Sequence, residues 1–153
     1  MYHYLLSLGS NVNPENNILK SHYYIEKLIG GIISESSLYE SKAEGFESDY
    51  DFVNQSIIVK SLLNPDEVLI QISSIDQTFQ RSRSASGYSD RTIDIDIVLS
   101  DKEFTNIIAK IPHPRWQERN FVIVPSQELN SELFAKQLNH THININQVLK
   151  KYL

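Results

Sequence analysis

The chain has 153 residues, 41% of them hydrophobic, with 14 Lys and Arg against 19 Asp and Glu, for a formal net charge of −5 at pH 7. That length fits a single domain over 1–153, large enough to fold without disulfide staples, and the chain has no cysteine. The acidic balance excludes general affinity for a nucleic-acid backbone, no window reaches the roughly 18 apolar residues of a membrane span, and MYHYLLSLGSN has no basic, apolar leader. The expectation is therefore a soluble, cytoplasmic monomer without nucleic-acid or membrane partners.

The first strand is expected over 2–8, where Tyr4, Leu6 and Leu8 alternate with His3, Leu5 and Ser7. A helix follows from Pro14, with Asn13 as its N-cap and Ile18, His22, Ile25 and Ile29 at helical spacing, and Gly30-Gly31 ends it. A second strand is expected over 32–39, a polar and acidic loop over 40–50, and a third strand over 52–62. Asn64-Pro65-Asp66-Glu67 has capping-box spacing, and the helix behind it carries Val68, Leu69, Ile72, Ile75 and Phe79. QRSRSASGYSD at 80–90 has loop composition, and a fourth strand is expected over 92–99. A Pro-rich turn at 111–115 follows, and the segment after it carries no assigned element. The order β-α-β-β-α-β is that of an α+β, ferredoxin-like sandwich. It has an antiparallel sheet, helices on one face and the other face free to build a site.

The strand RTIDIDIVL raises a chemical question. Ile93, Ile95 and Ile97 point one way, and Asp94 and Asp96 point the other. Their Cα atoms should stand roughly 6.5–7 Å apart. Solvated carboxylates on a wet face would account for the pair alone. A Mg²⁺ site would account for it as well, because Mg²⁺ takes hard oxygen ligands from one or two carboxylates plus substrate phosphates. Arg81, Arg83 and Arg91 lie upstream of the pair, and His113, Arg115 and Arg119 downstream. Any one arginine is ordinary surface charge, and a lone histidine is ordinarily a surface or packing residue. Together with the carboxylates they form a set suited to phosphate oxygens and phosphoryl-type transfer. No GxxxxGK[ST] motif occurs, so the chain is not a P-loop enzyme.

The chain resembles the 6-hydroxymethyl-7,8-dihydropterin pyrophosphokinase family. The resemblance is carried by LGSN (8–11), SSLYES (36–41), GF (45–46), DFVNQSIIV (51–59), RSR (81–83), RTIDIDIVL (91–99) and IPHPRWQERNFVIVP (111–125). It implies transfer of pyrophosphate from ATP to the hydroxymethyl group of the pterin in folate biosynthesis, with release of AMP. It also implies two Mg²⁺ ions held by Asp94 and Asp96. The same resemblance places ATP contacts at Asp76, Arg81, Arg83, Arg91, His113 and Arg119, with Arg81 and Arg91 catalytic beside the aspartates. The pterin would lie between Phe52 and Phe121, with its edge on Asn54, and Ser41, Ala43 and Gly45 would complete the pocket. Phe52 and Asn54 share a strand face, as a site that both stacks and hydrogen-bonds a flat ring requires. Without the resemblance both phenylalanines would read as core. The chain departs from the family pattern at Gln80 (Gly in the family), Ser89-Asp90 (Gly-Pro), Tyr88 (Trp), Asp76 (Glu), and Ser41, Ala43 and 48–50 around the pterin loop. Those departures leave open a second reading, a catalytically weak or inactive module that binds nucleotide or pterin.

Overall fold

The computed structural model describes residues 1–42, 51–80, 92–105, 108–143 and 149–151. Six strands form one antiparallel sheet: β1 (Tyr2–Ser10), β2 (Gly31–Glu35), β3 (Tyr39–Ser41), β4 (Phe52–Ser61), β5 (Asp94–Ser100) and β6 (Leu149–Lys151). The spatial order is β5-β1-β4-β3-β6, and β2 pairs with the other half of β4. Helices α1 (Pro14–Leu28) and α2 (Pro65–Phe79) are the two ferredoxin-like crossovers. A 3₁₀ turn (Trp116–Glu118), α3 (Asn120–Glu128) and the short α4 (Ala135–Leu138) follow β5.

The first core lies where period-2 strands meet period-3.6 helices. Leu6, Leu8, Ile57, Val59, Ile95 and Ile97 of the sheet pack against Ile18 and Ile25 of α1 and Val68, Ile72, Ile75 and Phe79 of α2. The expected capping box is present: the Glu67 amide donates to Asn64 Oδ1, and the Asn64 amide donates to Glu67 Oε1, both at 3.0 Å. Asn13 precedes α1 as expected but sits in the left-handed region (φ 42°) and makes no side-chain cap. His22 is half-buried and hydrogen-bonds Gln55 on β4 at 2.7 Å.

Three features differ from expectation beyond shifts of one or two residues at the ends of β1 and β4. The second strand is interrupted: Ser36 turns inward, its amide donating to the Ser56 carbonyl, and pairing resumes at Tyr39–Ser41. The fourth strand begins at Asp94 rather than Thr92. The face opposite α1 and α2 is only half free. A second core of Leu5, Ile58, Val98 and Leu99 is covered by Trp116, Val122, Ile123, Phe134 and Leu138 from the C-terminal segment.

Candidate active site

The residues of interest lie on the part of that second face beyond the second core. Asp94 pairs with Gly9, Gly9 with Asn54 and Asn54 with Tyr39, so these positions form one row across four strands. The next row joins Asp96, Ser7 and Ser56. Directly opposed residues share a face, so Asp94, Asp96 and Asn54 project to the same side. Two strand spacings place Asp94 and Asn54 roughly 10 Å apart across the sheet. The positions between them are occupied by small residues, Gly9 and Ser7. One row further down, where Leu5 and Ile58 pair, the second core takes over.

Asn54 is buried, and its amide nitrogen donates to Ser41 Oγ at 2.7 Å and to the Tyr39 carbonyl at 3.4 Å. Its oxygen is directed over Gly9, where a β-carbon would lie 3.3 Å from Asn54 Oδ1 and 3.7 Å from Phe52 Cδ1. A side chain at position 9 would therefore crowd the Asn54 amide, and glycine leaves that space open. Phe52 is half-buried on the same face as Asn54, opposite Ser41.

The C-terminal segment bounds the site. The His113 amide donates to the Val98 carbonyl at 3.0 Å and ties this segment to β5. Arg115 pairs with Glu118 at 3.0 Å on the surface. Arg119 opens α3 and is half-buried, with its guanidinium 5.6 Å from the centre of the Phe121 ring. Phe121 is partly buried against the second core, as its reading as core would have it. α3 is seated on β4 and β3, and the buried hydroxyls of Ser56 and Ser126 meet at 2.8 Å beneath it.

Asp76 on α2 shares a small cleft with Asp94, lined also by Ile72, Ser73, Ile93 and Ile95. Gln80 donates to Asp76 Oδ2 at 2.6 Å, so this glutamine engages an acidic group expected near the nucleotide. Arg81, Arg83, Arg91, Ala43 and Gly45 lie outside the described residues, as do the departures at 48–50 and 88–90.

Asp94 is exposed and Asp96 half-buried. No group of three His, Cys, Asp or Glu side chains forms a metal cluster among the described residues. A hard-oxygen donor set of two carboxylates fits Mg²⁺, which keeps waters and takes phosphate oxygens for the remaining positions.

Sequence reasoning did not assign Gly9, Tyr39 or Glu128 to this neighbourhood. Glu128 Oε1 accepts a hydrogen bond from the Tyr39 hydroxyl at 2.7 Å, and its other oxygen accepts from the Ser37 amide. Lys151 Nζ lies 3.8 Å from it. Burial alone would raise the Glu128 carboxyl, but the hydrogen bonds from Ser37 and Tyr39 and the Lys151 charge bring it below its ordinary value. Burial and the same carboxylate push the Tyr39 hydroxyl up to about 12. No sequence signal marks Glu128, because the groups that hydrogen-bond it, Ser37 and Tyr39, are about 90 residues away.

The fold and this surface define an α+β, ferredoxin-like domain with a carboxylate-bearing groove. A family model described as 7,8-dihydro-6-hydroxymethylpterin-pyrophosphokinase (HPPK) matches residues 5–131. The chain is 31% identical over 129 residues to the 2-amino-4-hydroxy-6-hydroxymethyldihydropteridine pyrophosphokinase of Porphyromonas gingivalis, covering 81% of this chain and 88% of that protein. The corresponding protein of Aquifex aeolicus is 36% identical over 126 residues, with 81% of this chain and 78% of that protein covered. Among solved structures, Plasmodium falciparum HPPK-DHPS with pterin and p-hydroxybenzoate superposes with a TM-score of 0.65 at 17% identity, over 98% of this chain and 45% of that one. The chain thus spans about half the length of that longer protein, and the likeness carries the fold. The chain belongs to the 7,8-dihydro-6-hydroxymethylpterin-pyrophosphokinase family, whose enzymes are ATP-dependent diphosphotransferases.

Proposed function

We propose that this chain transfers the β- and γ-phosphoryl groups of ATP, as one unit, to the hydroxymethyl oxygen of 6-hydroxymethyl-7,8-dihydropterin. The hydroxymethyl oxygen forms a bond to the β-phosphorus, and the bond from that phosphorus to the α,β-bridging oxygen breaks. The bridging oxygen and its electron pair leave with AMP, and the hydroxyl proton is lost. The observation that carries this reading is the row Asp94–Gly9–Asn54: a metal-capable carboxylate and a polar, ring-reading amide face one groove across a glycine floor.

In this reading Asn54 hydrogen-bonds the pterin edge, and Phe52 and Phe121 hold its faces. Asp94 and Asp96 are the groups that would hold two Mg²⁺ ions. When bound, Mg²⁺ neutralises phosphate charge and lowers the barrier for loss of the hydroxyl proton. His113 and Arg119 would orient phosphate oxygens from the C-terminal side, with Arg81, Arg83 and Arg91 from the 81–91 segment. Much of the catalysis is then positioning of two substrates within one groove.

The test is AMP release with ATP, Mg²⁺ and 6-hydroxymethyl-7,8-dihydropterin. AMP should form only when all three are present. Binding of both substrates without AMP would replace this reading with that of a binding module.

A further inference from the structure

We propose that Glu128 is a positioning residue for pterin recognition, acting through β3 on the Asn54 amide. This inference rests on the assignment of Asn54 to the pterin site. Asn54 has to present one face of its amide to the ring edge, and its other end is held by Ser41 Oγ at 2.7 Å and the Tyr39 carbonyl at 3.4 Å. Both of those groups belong to β3, a strand of only three residues. β3 is laddered to β4 on one side and to the equally short β6 on the other, so only three residue pairs hold it on each side.

Glu128 supplies a further restraint from outside the sheet. It stands at the C-terminal end of α3, a helix fixed over the second core. One carboxylate takes both the Tyr39 hydroxyl and the Ser37 amide, and so grips the start of β3 and the turn before it. Lys151 of β6 approaches the same carboxylate, while Lys150 pairs with Glu40 at 3.3 Å, so the outer strand is drawn to the same point. The route is continuous: α3 carboxylate, Tyr39 side chain, Tyr39 and Ser41 on β3, Asn54 amide. None of the Glu128 partners is itself among the residues assigned to substrate, so its effect should be indirect and confined to one substrate. Arg119, the proposed phosphate contact on α3, stands at the opposite end of that helix from Glu128, and β3 carries no proposed ATP contact.

The experiment compares the wild-type protein with Glu128→Gln and Tyr39→Phe. The first readout is the Asn54 side-chain amide in ¹⁵N-edited NMR spectra of the ligand-free protein. The second is the Michaelis constant for each substrate. Glu128→Gln should shift and broaden the Asn54 amide pair and raise KM for the pterin alcohol about 10-fold, with KM for ATP and kcat within about 2-fold. Tyr39→Phe should do the same to a smaller degree, and Glu128→Asp should restore neither, because its shorter arm cannot span both partners. Equal changes in both KM values, or a loss of kcat alone, would overturn the inference in favour of general structural support. An unmoved Asn54 amide would overturn it whether or not the protein turns over. Absence of AMP formation by wild type would instead count against the proposed reaction and leave the NMR comparison decisive for Glu128.

Discussion

Gly9 lies opposite Asn54 on the β1–β4 ladder, and a β-carbon at Gly9 would stand 3.3 Å from Asn54 Oδ1. The missing side chain makes the groove floor flat between the carboxylates of β5 and the amide of β4. Gly9→Ala should therefore act on the end of the site proposed to hold the ring. The expected result is a rise of about 10-fold in the dissociation constant for the pterin alcohol, with ATP affinity unchanged, measured by calorimetry. Unchanged pterin affinity would place the ring elsewhere.

Asp94→Ala and Asp96→Ala should each lower AMP formation by about 100-fold or more, the scale of losing a charge-stabilising group at a reacting centre. Asp94 is exposed and Asp96 half-buried, so neither change removes core packing. Circular dichroism should stay unchanged. If both variants kept full turnover, the metal assignment would be wrong.

Gly30 serves the fold rather than the site. A β-carbon there would meet the Lys60 carbonyl oxygen at 2.1 Å, so the chain leaving α1 passes against β4 with no room to spare. Gly30→Ala should cost about 2 kcal/mol or more and lower Tm by roughly 4–8 °C. Specific activity of the remaining folded protein should match wild type.

The Asn64–Glu67 capping box gives a smaller and independent effect. Asn64→Ala should destabilise by about 1 kcal/mol, seen as a drop of roughly 2–4 °C in Tm. The cap sits at the start of α2, whereas Asp76 lies near its end, so KM for ATP should not move.

Glu128 also predicts a pH dependence. Its folded-state pKa lies below the ordinary value of 4.5, so the unfolded chain binds the proton more tightly. The stability it contributes is present above the ordinary carboxylate range and is lost as pH falls through the folded-state value. The Tm difference between wild type and Glu128→Gln should be largest near neutrality and shrink on acidification below about pH 4.5. A difference that grew on acidification would contradict the assigned hydrogen bonds.

The β-α-β-β-α-β frame was legible because its signals are local. Strand alternation, the capping box and the Pro14 and Gly30 boundaries each act over a few residues. Asp94 and Asp96 stood out for the same reason, as carboxylates at period two in an apolar run. α3 was not legible: Phe121, Val122, Ile123 and Val124 have β propensity, and Pro125 lies inside the helix. Packing on Leu5, Ile58 and Leu99 decides that segment, and those partners are far away in sequence. The interruption of the second strand at Ser36 has the same origin, since it depends on hydrogen bonds to Ser56 and Gln55 of β4.

The cover that α3 lays over half of the second face has a consequence for how the protein is made. A chain emerging from the ribosome presents β1 and β4, and then β5, before Val122 and Ile123 arrive. Until then Leu5, Ile58, Val98 and Leu99 form a bare apolar strip beside an unfinished groove. Such a strip invites self-association or chaperone capture. Its closure also brings Arg119 and Phe121 into place. The same docking event therefore shields the apolar strip and seats two residues of the proposed site at once.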